Sequence, residues 1–498
     1  MKNSILTALF CGIFSLSSCS GFLDEVPKGQ ITSESYYRTE QHAISATNAI
    51  YNYLVQGYSP GGLWDKNYGG VFYNDYWVLQ DLFSDNANCK QVSIQYRSID
   101  NMQIDQYNEP IELLWRDFYQ TIKCCNVVID KVPEIEMDNI LKKHLIAEAK
   151  FFRGMVYFDL IRMFGDVPLR EHNLESADEG SMVRVSKDEI YKLIFEDLTT
   201  AETDLMYSAR YGGGRPYPES ASALLARVYL TYAAEHQDNK FYQLAVEKAN
   251  AVIPKFPMLE SYADLFKISN RFNSEIIWGV NFTTSLSNGW AGAQFLVRLL
   301  PKTLDGVDNA QGWENATEDL YSSFNANDER LAVTLKHEIT YKDGTFEQFE
   351  EPYVFKYWDQ EAEPKGNNTD AIFPAIRTAE MYLIKAEALN EINQGPTSDA
   401  VEAIKKVRER AGLTSDNLPM DYKGFKKALL EEYRHEFVME GHRWFDLTRM
   451  CTPQEFVDII KAAKPDATPQ LYHVKFPIPQ RERDLSQGQI TQNEGYNQ

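Results

Sequence analysis

The chain has 498 residues, of which 44% are hydrophobic and 13% aromatic, so it can bury a large core and is not disordered throughout. Its 72 acidic and 50 basic residues give a formal net charge of −22, which repels phosphate backbones and argues against nucleic-acid binding. No run of about 20 apolar residues occurs, which excludes a helical transmembrane protein.

The N-terminus has the pattern of an export signal. Lys2 is followed by an apolar stretch from Ile5 to Leu16, and small residues precede Cys19. The pattern predicts a lipoprotein signal peptide over residues 1–18, with Cys19 as the lipid attachment site of an anchored segment, 19–33. Several acyl chains at about 0.8 kcal/mol per buried methylene would make this anchor stable. A plain signal peptide followed by an incidental cysteine is the alternative.

Apolar residues recur at spacings of three and four through most of the chain, which predicts a mostly α fold. Two segments, 220–253 and 378–411, each contain two helical runs around a polar turn, with small residues where the helices would cross. This arrangement is typical of tetratricopeptide hairpins. Further helices are predicted at 34–56, 110–131, 139–164, 187–206 and 421–450. Together they make about four helical pairs, enough for a solenoid scaffold.

The helical pattern is interrupted between residues 255 and 375. This insert is rich in turn residues and aromatic rings, and short strands are predicted at Ile276–Phe282 and Tyr353–Trp358. It separates an N-terminal helical region, 34–254, from a C-terminal region, 376–498. A second, shorter excursion of the same chemistry covers Tyr58–Trp77. Because long loops on a regular scaffold commonly carry function, both excursions are candidate ligand-binding segments.

Searches for catalytic and metal motifs find nothing that indicates an enzyme. Cys89, Cys124, Cys125 and Cys451 match no metal or redox spacing and are predicted to be buried thiols or, as an alternative, to form one disulfide. The segment 305–312 offers oxygen ligands and could hold calcium, although a turn is the preferred interpretation. No other cofactor is predicted.

Two glutamates of the predicted 421–450 helix, Glu436 and Glu440, are the only acid–base pair considered for catalysis. A glycosidase needs its two carboxyl groups on opposite sides of a scissile bond, whereas one helix face would hold both on the same side. We therefore interpret them as members of a partly buried, arginine-paired network. Gly165 is predicted to cap a helix, with Pro168 preventing its continuation.

Four segments in chain order resemble one family. They are Cys19-Ser-Gly-Phe-Leu-Asp24, Ala147–Leu169, Glu431–Arg449 with its Glu-Gly-His-Arg-Trp-Phe-Asp-Leu block, and Phe476-Pro-Ile-Pro479 with Gln492–Tyr496. The chain is similar, over essentially its full mature length, to the SusD/RagB family of outer-membrane lipoproteins. Glu494 departs from the proline that the family more often has at that position.

The resemblance implies a non-enzymatic lipoprotein at the outer membrane, exposed at the cell surface. Such a protein captures oligosaccharides and delivers them to a partner TonB-dependent, SusC-like transporter. A receptor for peptide or glycoprotein cargo, and a helical-repeat scaffold acting only in protein assembly, remain alternatives because aromatic rings serve all three functions.

Candidate ligand contacts follow from the chemistry of sugars, whose C–H face stacks on aromatic rings while their hydroxyl groups need polar partners. Family analogy points to the segment after Ser84-Asp85-Asn86 and to the insert. The candidates in these regions and in the shorter excursion are Tyr96, Tyr107, Trp290, Gln294, Trp313, Asn315, Trp64, Tyr68 and Tyr73. Trp290 and Trp313, each beside a glycine, are expected to be exposed on one open face away from the hairpins.

Overall fold

The structure, a computed structural model, describes most of the chain from residue 37 onward. The described residues are 37–55, 70–73, 75–174, 183–207, 214–283, 294–302, 304, 307, 310–341, 343–359, 361–362 and 369–496.

The mostly α fold predicted from the sequence is confirmed. Seventeen helices are present among the described residues: α1 Glu40–Val55, α2 Asp75–Leu82, α3 Ile94–Asp100, α4 Glu109–Lys131, α5 Asn139–Phe164, α6 Lys187–Asp204, α7 Pro218–His236, α8 Asn239–Val252, α9 Phe295–Leu299, α10 Glu318–Ser323, α11 Glu329–Thr334, α12 Thr378–Asn393, α13 Ser398–Arg410, α14 Tyr422–Glu436, α15 Arg443–Met450, α16 Pro453–Ala463 and α17 Gln480–Leu485. None of these helices is both long and apolar enough to cross a membrane.

The strands of the described chain form four separate antiparallel pairs. They are β1 Ala87–Cys89 with β5 Glu314–Ala316, β2 Val167–Pro168 with β3 Arg184–Val185, β4 Ile276–Asn281 with β8 Ile372–Arg377, and β6 Leu335–Thr340 with β7 Phe346–Val354. The strand predicted at 276–282 is thus present. The strand predicted at Tyr353–Trp358 is wrong in its bounds, because the strand observed there, β7, begins at Phe346 and ends at Val354.

Four helical pairs form the scaffold: α1 with α4, α5 with α6, α7 with α8, and α12 with α13. Successive pairs also pack on one another, through α4 on α5, α6 on α7 and α8 on α12. The small residues predicted at the α7–α8 crossing, Ala223, Ala226, Ala245 and Ala249, are all fully buried. They let the two helix backbones approach closely, as tetratricopeptide packing requires.

The single helix predicted at 421–450 is wrong. Helix α14 ends at Glu436, α15 begins at Arg443, and the connecting residues Met439 and Gly441 both have positive φ. The apolar period continues across this turn because Phe437, like the residues before and after it, is buried in the core. Periodicity alone therefore could not reveal the break.

The insert is less irregular than the sequence indicates. Part of it forms a second, small core of buried residues at Leu296, Leu300, Leu304, Val307, Ala310, Ile339, Phe349 and Phe355. This core packs the β6–β7 hairpin against the segment that follows α9. Strand β7 of this hairpin also packs against β5.

The four described cysteines are free thiols, which settles the alternative between thiols and a disulfide. Gly165 ends α5 with φ 74°, as its predicted role as a cap requires. Within the described residues, no group of three or more His, Cys, Asp or Glu side chains is placed to hold a metal ion. Four of the eight residues of the segment considered for calcium, 305–312, lie outside the described residues.

Candidate functional site

Two segments far apart in the sequence meet where β1 pairs with β5. The strand register aligns Asn88 with Asn315 and Cys89 with Glu314. Helix α3 is tied to this pair because the backbone N–H of Cys89 donates to Asp100 at 2.9 Å. The pairing therefore brings the segment after Ser84-Asp85-Asn86 against the insert, the two regions that family analogy pointed to.

Arg298, on the short helix α9, lies at the centre of this region and is only 5% exposed. Its Nη1 donates to Glu314 Oε1 at 2.7 Å, and its Nη2 donates to Tyr96 Oη at 3.2 Å. The guanidinium carbon lies 4.9 Å from the ring centroid of Tyr96 and 5.2 Å from that of Trp313. The guanidinium of Arg298 thus lies at cation–π distance from two candidate ligand-binding rings.

Tyr96 is fixed from both sides. Its hydroxyl donates to Asp75 Oδ1 at 2.5 Å while accepting from Arg298. Burial, and then the charge of Asp75, raises the pKa of Tyr96 well above its ordinary value. The phenol therefore stays protonated and keeps its role as a donor to Asp75.

Glu314 and Arg298 form a buried ion pair whose members are not fully satisfied. Burial raises the pKa of Glu314 to about 7, and the opposing effect of Arg298 does not restore the ordinary value. Among the described residues, Glu314 Oε2 and Arg298 Nε are buried and have no hydrogen-bond partner. The same is true of Asn315 Oδ1. We refer to Asp75, Tyr96, Arg298, Trp313 and Glu314 as the Arg298 cluster.

A polar rim borders the cluster at the surface. Asn315 donates through Nδ2 to Glu351 Oε2 at 3.3 Å, and Lys90 Nζ donates to the other Glu351 oxygen at 2.5 Å. The backbone N–H of Lys90 also donates to the carbonyl of Trp313 at 2.7 Å. Lys90 and Glu351 are partly exposed, so they present one ammonium and one carboxylate to solvent beside the Trp313 segment.

The position of Trp313 is set by the preceding residue. Gly312 has φ 54°, and a Cβ atom there would lie 2.7 Å from Tyr353 Cε1. A side chain at position 312 would therefore clash with the small core of the insert. Trp313, which the sequence led us to expect on an open face, is half-buried and lies against Arg298.

The other candidate ligand contacts have different surroundings. Gln294 is half-buried, and its carbonyl accepts from Arg298 at the start of α9; Tyr107 is 64% exposed just before α4. Tyr73 is buried in the main core at 8% exposure. Trp64, Tyr68 and Trp290 lie outside the described residues, as does Cys19. The structure thus brings together Tyr96, Trp313, Asn315 and Gln294.

Sequence reasoning missed Arg298, Glu314 and Asp75. A signal was available for Arg298, because it is the only charge in the apolar run Phe295-Leu-Val-Arg-Leu-Leu300. A single charge inside a buried segment needs a partner of opposite charge. Glu314, between two residues already nominated, is that partner.

Glu436 and Glu440 are in a different environment. They belong to a set of buried ion pairs that we call the Glu436 network, whose members are Glu275, Asp328, Arg330, Lys356, Arg377, Arg408, Arg410, Glu432, Glu436 and Glu440. Glu436 contacts Arg330, Arg377 and Arg410, and Glu440 contacts Lys356 and Arg377. Burial alone would raise the pKa of Glu436, but the three arginines hold it well below its ordinary value.

The network is arginine-paired, as predicted, but its partners differ from those expected. Both glutamates pair with cations from other elements rather than with neighbours on one helix face. Its members are buried except Arg408, which is partly exposed, so the network is partly buried as expected. Neither carboxyl group is free to transfer a proton to a ligand.

Comparisons with known proteins place the chain among related sequences and structures. A profile described as the SusD family matches residues 307–496, and one described as starch-binding and associating with the outer membrane matches residues 22–230. A SusD-like protein of Formosa agariphila is 27% identical over 95% of both chains.

Solved structures share the fold. A SusD superfamily protein from Parabacteroides distasonis superposes with a TM-score of 0.78 at 24% identity, covering 94% of this chain and 100% of that one. A protein described as a laminarin-binding SusD-like protein gives a TM-score of 0.75 at 26% identity, covering 92% and 100%.

Proposed function

The chain belongs to the SusD/RagB family, and we propose that it is a glycan-binding lipoprotein of the outer membrane that captures oligosaccharides at the cell surface. The relatives named for starch and laminarin binding support this assignment at the level of the family. The observation that carries it for this chain is the Arg298 cluster. There, one buried cation holds two aromatic rings beside a surface rim of polar groups.

The geometry of the cluster suits a saccharide. The C–H face of a sugar ring packs on an aromatic plane, and Trp313 is half-buried, so part of its ring surface is available. The rim offers a carboxylate, an ammonium group and an amide, in Glu351, Lys90 and Asn315. These groups both donate and accept hydrogen bonds, which matches the dual character of sugar hydroxyl groups.

We propose that the protein binds its ligand and does not catalyse a reaction on it. The carboxyl groups of Glu436 and Glu440 form ion pairs with arginine and lysine side chains in the core. In the Arg298 cluster, Glu314 has a raised pKa but is 1% exposed and bonded to Arg298, so it cannot reach a glycosidic oxygen without leaving that arginine. A bound oligosaccharide would therefore be released or passed on unchanged.

The experiment is affinity electrophoresis of the purified protein in gels containing laminarin or starch, followed by calorimetry with the oligosaccharide that retards it. Trp313→Ala should lose the retardation. Phe272→Ala is the matched control, because Phe272 is an exposed ring of the same insert that takes no part in the cluster. Equal affinity in both variants would remove Trp313 from the site. Binding of peptides with no glycan binding would favour the peptide-cargo alternative.

We further propose that the lipid on Cys19 anchors the protein and that a TonB-dependent transporter of the SusC class receives the glycan. Cys19→Ala should abolish incorporation of an alkyne palmitate and release the protein from the membrane fraction. If the variant is labelled like the parent, the anchor proposal fails. Co-purification of the transporter with the parent, from cells that produce both, tests the partner. A parent that purifies without it contradicts the delivery role.

A further inference from the structure

A cavity of about 180 Å³ lies in the helical scaffold and shares no residue with the Arg298 cluster. It is enclosed by the C-terminal end of α5, the first residue of α6, α7, α15 and the segment Val474–Lys475. Its polar lining consists of the cations Arg162, Lys187, Arg449 and Lys475, the hydroxyl groups of Thr231 and Thr448, and one carboxylate, Glu235. We refer to it as the Lys475 pocket. Its volume is similar to the cavities of about 150 Å³ that hold a benzene-sized molecule.

Lys475 is distinguished by its lack of a counter-ion. No carboxylate lies within ion-pair distance of its ammonium group among the described residues. The other cations on the wall all have one, since Lys187 pairs with Glu235 at 2.7 Å, Arg449 pairs with Glu387 at 2.8 Å, and Arg162 pairs with Asp159. Asp166 and Glu235 act on Lys475 only from a longer distance, and Glu235 is bonded to Lys187, so the wall of the pocket keeps an excess of positive charge.

The backbone is shaped to admit this ammonium group. Gly165 has φ 74°, and a Cβ atom there would lie 2.9 Å from Lys475 Nζ. The glycine therefore gives space for the lysine side chain where an alanine would push it away. Burial and the charges of Lys187 and Arg184 lower the pKa of Lys475, and the carboxylates of Asp166 and Glu235 offset this effect only in part. A bound anion would reverse that effect by supplying the missing counter-charge.

Arg162 adds a second unsatisfied group to the wall. Its guanidinium is packed between Phe158 and Phe445, with its carbon atom 4.1 and 3.5 Å from the two ring centroids. The side chain is only 8% exposed, and its Nε is buried without a hydrogen-bond partner among the described residues. One ion pair to Asp159 thus leaves part of the donor capacity of Arg162 unused.

The threonines of the pocket contribute acceptors instead of donors. Thr231 donates its hydroxyl proton to the carbonyl of Arg227 at 3.0 Å, and Thr448 donates to the carbonyl of Phe445 at 3.2 Å. Each hydroxyl oxygen can therefore only accept from a ligand. A ligand that fits these groups needs an anion for Lys475 and O–H donors for the threonines.

We propose that the Lys475 pocket binds a hydroxy acid the size of one sugar ring, such as a hexuronate. The carboxylate would pair with Lys475, and ring hydroxyl groups would donate to Thr231 and Thr448. The apolar wall formed by Ile161, Phe445 and Val474 would cover the C–H surface of the ring. This proposal does not depend on the function assigned to the Arg298 cluster.

Calorimetry of the purified protein with sodium glucuronate tests the proposal. We expect one site per chain and no heat of binding with glucose, which lacks the carboxylate. Lys475→Met removes the charge but keeps most of the stem, and it should weaken binding at least tenfold, the loss expected for a charge-assisted hydrogen bond. Lys461→Met, on the exposed surface of α16, changes the net charge equally and should bind like the parent.

Further variants keep the proposal falsifiable if Lys475→Met does not fold. Ala234→Leu fills the pocket without changing charge and should also prevent binding, and Gly165→Ala should weaken it by displacing the ammonium. Unchanged affinity in a folded Lys475→Met or Ala234→Leu protein would overturn the proposal. So would loss of glucuronate binding in Trp313→Ala, which would place the ligand in the Arg298 cluster. Sulfate that binds as tightly as glucuronate would show a general anion site and overturn the hydroxy-acid assignment.

Discussion

The Glu436 network and the Arg298 cluster are both built from buried charges, but they differ in how completely those charges are paired. In the network, five cations face five carboxylates, and Glu436 alone contacts three arginines. In the Arg298 cluster, one arginine serves Glu314 and the hydroxyl of Tyr96, and buried atoms of Arg298, Glu314 and Asn315 are left without partners.

The difference fits the structural role that we assign to the network and the binding role that we propose for the cluster. A buried ion pair is retained at low cost only when every charge is compensated, and leaving a buried polar atom unpaired costs about 1–3 kcal/mol. The network meets this requirement for each of its carboxylates, with Arg410 Nε its one buried atom that lacks a partner among the described residues, and it joins the insert to the C-terminal helices. The cluster does not meet it, and sites of binding are where such incomplete pairing is expected.

The largest effect should come from breaking the network. Glu436→Gln leaves Arg330, Arg377 and Arg410 with too little negative charge in the core, and we expect the free energy of unfolding to fall by about 3–5 kcal/mol. Urea denaturation measures it. Glu402→Gln is the matched control because its surface pair with Lys406 is solvated, and it should unfold like the parent. Equal stability of the two variants would show that the network is not structural.

A smaller effect, with the opposite sign, is expected beside the Arg298 cluster. Burial raises the pKa of Asp117 on α4 from 3.8 to about 7, and the charge of Asp75 adds to the shift. The folded protein then binds more protons than the unfolded chain between these pH values, so stability should decline as pH rises from about 4 to about 7. Asp117→Asn removes this decline and should stabilise the protein at pH 8 by on the order of 1–3 kcal/mol.

Unfolding curves of the Asp117→Asn variant and the parent at pH 4 and pH 8 give the measurement. The two proteins should agree at pH 4, where the aspartate is protonated, and diverge at pH 8. A parent protein whose stability rises steadily with pH up to 8 would show that Asp117 is ionised in the fold. Glu436 acts in the opposite direction, because its pKa is lowered on folding, but its effect is confined to the pH range below about 6 and is the same in both proteins.

Removing the ring of Trp313 should change affinity by a comparable amount. Loss of one stacking platform costs about 1–3 kcal/mol, taking aromatic stacking on flat ligands as the nearest analogue, which is roughly a 5- to 150-fold weaker dissociation constant. Calorimetry with the oligosaccharide found by affinity electrophoresis gives the value. A large drop in melting temperature without loss of affinity would assign Trp313 to the core.

The smallest effect is expected at the rim. Lys90 and Glu351 form a partly exposed ion pair, and Lys90→Met should lower stability by less than about 1 kcal/mol. If the rim contacts ligand hydroxyl groups, the same variant should weaken glycan binding more than it weakens folding. An affinity change no larger than the stability change would restrict the site to the aromatic rings.

Sequence patterns predicted the scaffold better than the site. Hairpin α7–α8 could be predicted from the sequence because its small residues and aromatic rings recur at helical spacing within one short segment. The break between α14 and α15 could not, since the apolar period runs through it and the reason for the turn is tertiary: Glu436 and Glu440 face cations from α11, α13, β8 and the segment after β7.

For the site, residue chemistry nominated Tyr96 and Trp313, which Arg298 brings together. The local pattern marks Arg298 as a charge that needs a partner, but it does not show which rings Arg298 contacts, because these depend on the pairing of β1 with β5. For the same reason, it does not show that Trp313 is only half exposed. Arg298, a buried charge in a short apolar helix, contacts the ring of Trp313, and sequence spacing does not show that contact.

The strand pair β1–β5 also determines when the ligand face can form. Thr317 donates to the carbonyl of Asp85 across 232 positions of sequence, and Asp85 in turn accepts from Arg443, 358 positions away. Contacts of such high separation close large loops and form late, after local hairpins. During synthesis, the tetratricopeptide pairs before the insert can fold as they emerge. The Arg298 cluster can form only after β5 has emerged, and the ion pair of Asp85 with Arg443 only after α15 has emerged. A chain truncated before Arg443 would therefore keep the helical pairs that precede the insert and lose the contact that holds Asp85.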